Sequence, residues 1–318
     1  SLVDKMENTV VPQTVGEYLL KQIEIMKVEK RIGNAKVYRS TYNSLFAFCG
    51  NLNISFASID SAWLRRYETF LRSRENSSNT IGIRFRELRA LYNKAIEDNL
   101  VHEKNYPFKR FKVARFSKKT SKRAIKKEDI KRIMNVDLRL ITKYHSPLLY
   151  LSKDLFLFSY LGCGINLIGI AYLRYENITE NRLRFNRHKT GQPINFTLQG
   201  QLREIILKYA KEGCSSKDFI FPILDRRIHK TQQQQDDRII KVTKGINRNL
   251  KKIGQFLNLS IPITTYVARH SFATVLKRSG VNISIISEAL GHTNLSTTQY
   301  YLDSFENEQI DEAMKNLL

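Results

Sequence analysis

Between Thr14 and Leu100 the apolar positions recur every three or four residues. The clearest run is Ile81, Phe85, Leu88, Tyr92 and Ala95, whose steps of four, three, four and three trace one buried stripe along a helix. Val15, Tyr18, Leu19 and Ile23 predict an earlier helix, Tyr38 through Phe48 a second with Tyr42, Leu45 and Phe48 inward, and Trp63, Tyr67, Phe70 and Leu71 a third. The breaks carry turn chemistry at Gly33-Asn34, Gly50-Asn51 and Asn76-Ser77-Ser78-Asn79, where short polar side chains compete for backbone hydrogen bonds. The sum is a small helical bundle. Arg84, Arg86, Arg89 and Lys94 fall between the stripes, on a face that either meets a polyanion or is solvated.

Helical periodicity resumes near Ala124, where Ile125-Lys126-Lys127-Glu128-Asp129-Ile130 reads as a helix entry with acidic residues in its first turn. One stretch has a different period. From Asn181 to Leu198, Leu183, Phe185, Ile194, Phe196 and Leu198 alternate with polar residues on either side of Arg187-His188-Lys189-Thr190-Gly191, which predicts a β-hairpin tipped by Lys189. Thr231 to Arg238, with four glutamines, predicts an exposed loop. The expected fold is mainly α with a small β-hairpin or sheet. Its parts are an N-terminal tail over 1–12, a helical domain over 13–108, a basic linker over 109–123 and a second domain over 124–318.

Charge sharpens this division. From Lys104 to Lys127 there are eleven lysines and arginines and no acidic residue. Such a strap repels itself into extension, and each cation that meets a phosphate releases condensed counterions. Lys118, Lys119, Lys122 and Arg123, with Arg84 on the bundle, are the expected phosphate contacts. Over the whole chain 53 basic residues against 30 acidic ones leave a formal charge of +23, so double-stranded DNA leads as partner. A hydrophobic content of 42% excludes a disordered chain. Neither a membrane-length apolar run nor a signal segment is evident, so a cytoplasmic protein without membrane contact is expected. Cys49, Cys163 and Cys214 lie far apart without a Cys-x-x-Cys pair, so neither a disulfide framework nor a zinc site follows. The chain starts Ser1-Leu2 without methionine, and its natural start is unknown.

Two blocks near the C-terminus carry chemistry. Tyr266-Val-Ala-Arg269-His270-Ser271-Phe272-Ala273-Thr274 is followed by Leu290-Gly291-His292, with Tyr301 nine residues beyond that histidine. Breaking a phosphodiester without water or metal needs a nucleophile, cationic donors for the non-bridging oxygens and an acid for the leaving oxygen. In order and spacing the blocks resemble the catalytic domain of tyrosine site-specific recombinases, the phage and transposon integrase family, especially the integrases and invertases of Bacteroides-type bacteria. The family's arginine motif, His-x-x-Arg-His-[Ser/Thr]-Phe-Ala-Thr, falls on Tyr266 through Thr274.

The resemblance implies a role for each residue. Tyr301 is the nucleophile that forms a 3′-phosphotyrosyl linkage, with Tyr300 its neighbouring rival. Arg269 clamps the phosphate, His292 hydrogen-bonds it, and Lys189 protonates the leaving 5′ oxygen. His270 supports the site without performing chemistry. No cofactor, metal or ATP is implied. The partners implied are paired double-stranded DNA sites, a homotetramer that exchanges strands through a Holliday junction, and accessory DNA-bending proteins. The segment Phe305–Leu318 is either swapped to a neighbour or docked in its own domain. No N-terminal arm-binding domain is evident, as in a short invertase-like member or a chain truncated before Ser1.

The sequence departs from the family twice. Tyr266 stands where the family has a histidine; its phenol can still donate a hydrogen bond but is a poor base near neutral pH, and it is counted with the catalytic residues. The family's first arginine lies in a Thr-Gly-x-Arg-x-x-Glu-like stretch, matched here by Tyr160-Leu-Gly-Cys-Gly-Ile-Asn166-Leu-Ile-Gly169-Ile-Ala-Tyr-Leu173, which puts Asn166 at the arginine and Gly169 at the acid. Anchoring on Gly162 nominates Gly164 instead, and Cys163 stands where the resemblance to Bacteroides-type sequences implies an arginine; no alignment restores a cation there. Either another basic residue reaches the phosphate or the enzyme is slow. Three functions follow: DNA strand exchange for integration, excision or inversion; a catalytically impaired architectural DNA-binding protein of the same fold; or a type IB topoisomerase.

Overall fold

Helix α1 (Val15–Val28) starts at Thr14, whose hydroxyl accepts from the Glu17 amide while the Glu17 carboxylate accepts from the Thr14 amide, both at 3.2 Å. The computed structural model describes residues 14–118, 123–188 and 190–302, without the side chains of Tyr300 and Tyr301. It divides the chain into two units between residues 120 and 121.

In the first unit α1 is followed by α2 (Ile32–Cys49), α3 (Ser61–Ser73) and α4 (Ser78–Glu97). Asp60 caps α3 through the Trp63 amide at 2.6 Å, and Ser77 caps α4 through the Thr80 amide at 3.2 Å. Every member of the predicted α4 stripe is buried, and it packs with Tyr18, Leu45, Tyr67 and Leu71 into one core. That core continues past residue 108. Phe111, Val113 and Phe116 are buried in it, with 3-10 turns at Pro107–Lys109 and Val113–Phe116. The Phe85 ring lies 4.7 Å from Phe111 and stacks on Phe116 at 5.2 Å. The stretch expected to begin an extended linker therefore belongs to the bundle as far as Phe116. Its apolar residues alternate with cations such as Arg115, which lies 4.5 Å over the Phe111 ring and pairs with Glu68. The expectation weighed the charges and overlooked the aromatics between them.

The second unit comprises α5 (Lys127–Asn135), α6 (Pro147–Leu161), α7 (Leu167–Ala171), strands β1 (Ile178–Thr179), β2 (Arg182–Asn186) and β3 (Pro193–Thr197), then α8 (Gly200–Leu207), α9 (Gln232–Phe256), α10 (Thr265–Arg278), α11 (Ile283–Ala289) and α12 (Leu295–Tyr301). Helix α6 buries Leu149, Leu151, Leu155, Phe156, Leu157 and Phe158 on all sides and is the centre against which α9 and α10 pack. The strands form an antiparallel sheet in the order β1-β2-β3, with Leu183 opposite Phe196 and Phe185 opposite Ile194. The predicted hairpin is thus present, with a short third strand added.

The glutamine-rich stretch expected as a loop is the first two turns of α9. Thr231 caps it, accepting from the Gln234 amide while the Gln234 side chain accepts from the Thr231 amide. Gln232 reaches Asp236 and Gln233 reaches Asp237, four residues apart, at 2.9 and 2.8 Å. Glutamine is a good helix former, and polarity alone marked this solvent-facing start as a loop. Beyond it Ile239, Val242, Ile246, Leu250 and Ile253 bury one face.

A separate small cluster of Ala273, Ile286 and Leu290, with Phe272, Leu276, Val281 and Leu302 against it, holds the segment after α10.

Candidate active site

Arg269 lies in the first half of α10 and is only 3% exposed, although its side chain is charged. Burial at that depth requires partners, and the described residues supply several around the guanidinium. Nη1 donates to the Gly164 carbonyl at 2.6 Å, and Nη2 donates to the Leu290 carbonyl at 2.7 Å and lies 3.0 Å from Nε2 of His292. The two sequence blocks, separated by the end of α10 and all of α11, therefore meet at one guanidinium. The turn at Cys163 and Gly164 makes this possible, because both residues adopt positive φ, 55° and 63°. A Cβ on Gly164 would sit 3.0 Å from Leu290 and 3.2 Å from Arg269.

His292 follows the turn at Leu290-Gly291. Its Nδ1 lies 2.8 Å from Oγ1 of Thr298, which is fully buried and donates to Oγ of Ser287 at 2.8 Å. Thr298 belongs to α12, the seven-residue helix that ends at Tyr301. The backbone of Tyr301 thus stands three positions after a residue that touches His292. The side chains of Tyr301 and Tyr300 lie outside what the structure describes, as do Lys189, Lys119, Lys122 and Phe305–Leu318.

Asn166 is the N-cap of α7, its Oδ1 accepting from the Gly169 amide at 2.9 Å. The position matched to the family's first arginine therefore caps a helix. It lines a narrow cleft with Cys163, Arg187, Arg269 and Leu290. Burial pushes the Cys163 thiol up to about 11, so it lines this cleft as a neutral group at neutral pH.

Arg187 is the residue that the sequence pattern left unmarked. It sits at the end of β2, where its amide donates to the Gln192 carbonyl and its carbonyl accepts from the Gly191 amide, closing the hairpin turn. Its Nη1 donates to the Gly291 carbonyl at 2.8 Å and to the Leu290 carbonyl, the same oxygen that Arg269 uses. Gly291 has φ of 62°, and a Cβ there would meet the Arg187 side chain at 3.1 Å. A second guanidinium is thus held beside the first. The one available signal was its place two residues before Lys189 in a cationic hairpin tip.

Tyr266 is 42% exposed at the start of α10, edge-on to His270 at 4.9 Å, with the Arg123 guanidinium 5.8 Å above its ring. The Ser271 hydroxyl of the same motif accepts from the Ile125 amide at 3.0 Å, tying the entry of the second unit to α10. Two further expected DNA contacts lie in the first unit. Lys118 exchanges main-chain hydrogen bonds with the Asn79 side chain and is exposed. Arg84 is half-buried and donates to Ser40 at 2.6 Å and Thr41 at 3.3 Å, joining α4 to α2. Among the described residues no cluster of three or more His, Cys, Asp or Glu is arranged to hold a metal ion, and no helix is long and apolar enough to cross a membrane.

Residues 14–113 match the phage integrase SAM-like domain, and residues 123–308 match the phage integrase family. Among curated proteins, the chain is 44% identical over 114 residues to a tyrosine recombinase of Thermosipho africanus, a match covering 32% of this chain and 40% of that protein. It is 28% identical over 185 residues to tyrosine recombinase XerA of Pyrococcus horikoshii, covering 58% and 57%. The chain thus spans about half the length of these relatives. Among solved structures it resembles the Tn1549 transposon integrase in complex with a circular intermediate DNA, with TM-score 0.65 and 16% identity over 95% of this chain and 99% of that one. It also resembles a lambda integrase tetramer bound to a Holliday junction, with TM-score 0.63 and 13% identity over 95% and 81%. At these identities the likeness is one of fold.

Proposed function

The chain belongs to the phage integrase family, and from that premise we propose that it is a site-specific tyrosine recombinase that cleaves and rejoins DNA strands. The observation that carries this reading is the buried Arg269 guanidinium 3.0 Å from His292, at the entry to the helix that ends in Tyr301. In the proposed reaction the Tyr301 phenol attacks the scissile phosphorus and the bond to the 5′ oxygen breaks. The product is a 3′-phosphotyrosyl link that conserves the bond energy for religation. Arg269 turns its paired donors to the non-bridging oxygens, for which a planar guanidinium is matched. His292 hydrogen-bonds the same group, and Lys189 gives its proton to the leaving oxygen. Arg187 supplies the second cation that neither Asn166 nor Cys163 provides. Its support is the carbonyl it shares with Arg269.

The unit ending at residue 120 serves as the core-binding domain and residues 124–318 as the catalytic domain, and Lys118, Lys119, Lys122 and Arg123, along the sequence that joins the two, meet DNA phosphates. Double-stranded DNA is the substrate, two paired sites are bound by a homotetramer, and the protein works on the DNA of a bacterial cytoplasm. The exchange of strands serves integration, excision or inversion of a DNA element. Placement among Bacteroides-type integrases and invertases rests on the motif resemblance alone.

The test is covalent capture on a nicked suicide DNA carrying the cognate site, read on a denaturing gel. A covalent band that disappears in Tyr301→Phe, while half-site binding is retained, is the expected result. Specific binding with no band assigns the chain to the architectural role that the helix-capping Asn166 favours. Relaxation of supercoils at any sequence, without pairing of sites, assigns it to the topoisomerases.

A further inference from the structure

The hairpin tip is tied down in two directions, and one of the ties is the neighbour of Lys189 in the chain. The His188 ring lies parallel to the Tyr172 ring, with centroids 4.7 Å apart and planes 11° from each other, within the stacking range of aromatic rings. His188 is exposed, whereas Tyr172 is half-buried at the C-terminus of α7 and is the fixed partner of the two. Phe219 meets the Tyr172 ring edge-on at 6.4 Å, and Nε2 of Gln232, the first residue of α9, donates to its hydroxyl at 2.8 Å. The same amide reaches Asp236 at 2.9 Å. Across Lys189, the Thr190 hydroxyl donates to the Gly291 carbonyl at 3.5 Å, beside the bonds that Arg187 gives the carbonyls of Leu290 and Gly291. Main-chain bonds join Arg187 to Thr190, Gly191 and Gln192. Among the described residues none reaches His188, so the ring stack is its tie to the rest of the unit.

We propose that His188, stacked on Tyr172, is a positioning residue that holds the hairpin tip for delivery of the leaving-group proton by Lys189. This rests on the recombinase reading given above and on Lys189 as its acid. A general acid works only within hydrogen-bond reach of the atom it protonates, and a lysine brings its ammonium there on a flexible four-carbon stem. The main chain from which that stem starts must therefore be held by its neighbours. His188 supplies the hold on one side of Lys189, toward α7 and α9, and Arg187 and Thr190 supply it toward the 290–291 turn. The stack also registers the tip to the phosphate site. Helix α7, which ends at Tyr172, begins at Asn166 on the cleft that Arg269 and Arg187 line, so one five-residue helix joins the ring under His188 to the wall beside the guanidinium groups.

Single-turnover capture by the full chain tests this on two nicked DNAs, one ordinary and one with sulfur in place of the 5′ oxygen at the scissile phosphate. A thiol ionises at about 8.5, so sulfur leaves without an acid. On ordinary DNA His188→Ala is expected to form the covalent band roughly 3–10-fold more slowly than the parent, the worth of one stacked ring pair expressed as a rate. On sulfur DNA it matches the parent, whereas a merely structural role slows both DNAs alike. His188→Phe keeps a stacking ring without an imidazole and matches the parent on both. Lys189→Ala, slower by ~10²–10⁴ on ordinary DNA, sets the upper limit of the effect and recovers on sulfur. The second measurement is ¹H NMR of the DNA-free protein, with the His188 ring signals identified by His188→Ala. The face of Tyr172 shifts them upfield, and Tyr172→Leu returns them. A parental rate in His188→Ala on ordinary DNA, an equal loss on both DNAs, a loss in His188→Phe as large as in His188→Ala, or ring signals without the upfield shift overturns the proposal. If the parent gives no band, or sulfur does not recover Lys189→Ala, the reading beneath the proposal is what has failed. The ring signals then decide the stack: an upfield shift lost in Tyr172→Leu supports it, and its absence overturns it.

Discussion

The carbonyl oxygen of Leu290 takes hydrogen bonds from two guanidinium groups, Arg269 of α10 and Arg187 of the hairpin. Two like charges gathered on one neutral acceptor repel each other, and an arriving phosphate with two negative oxygens relieves that repulsion. Arg187→Ala is therefore expected to slow covalent capture by ~10²–10³, the usual cost of one missing donor at a developing oxyanion. Arg187→Lys recovers part of the rate, because an ammonium restores the charge but not the fork. Single-turnover capture at saturating protein measures both. A parental rate in Arg187→Ala leaves the residue as a tether of the hairpin to the 290–291 turn. Arg269 and His292 were legible in the sequence because each lies in a contiguous block whose order and spacing carry the signal. Arg187 was not, since its partners stand 103 and 104 residues downstream. Thr298 was hidden for a related reason: nothing in its neighbours shows that a ring nitrogen faces it.

At the scale of elements, legibility followed period. The α4 stripe and the alternation across β2 and β3 repeat at helix and strand spacing, and both elements stand where the pattern places them. Two-residue β1 is too short to show a period. The start of α9 has no apolar stripe at all, and what makes it helical is its cap and its side-chain pairs four residues apart. This gives a direct check. Thr231→Ala removes the hydroxyl that accepts from Gln234 and is expected to cost about 1 kcal/mol, lowering the melting temperature by roughly 2–4 °C for a chain of this size. Thr231→Ser, which keeps the cap, melts with the parent. An unchanged melt in Thr231→Ala means that the stripe from Ile239 to Ile253 alone holds α9 against α6.

For the whole molecule the question is whether a formal charge of +23 acts as a diffuse field or through placed contacts. A diffuse field makes any four cations equivalent, whereas placed contacts make the number of neutralised phosphates depend on position. Lys118, Lys119, Lys122 and Arg123 bridge the two units in sequence, beyond the aromatic anchors that fold Phe111 and Phe116 into the bundle and before Ile125 is pinned to Ser271. Their replacement by glutamine is expected to flatten the slope of log affinity against log salt by about 0.9 for each phosphate left without its cation, up to about 3.6 for all four. Glutamine at exposed Lys211, Lys217, Lys230 and Lys241 removes the same formal charge from the chain. That second set is expected to change the slope by less than a single phosphate does. Filter binding or fluorescence anisotropy of a half-site across a salt series separates the two. Equal flattening by both sets means that net charge governs binding, and the segment between the units then holds no phosphate of its own. Flattening confined to the first set places the strap on the DNA backbone, where a cation this near Tyr266 also links grip on the duplex to the start of the helix that holds Arg269.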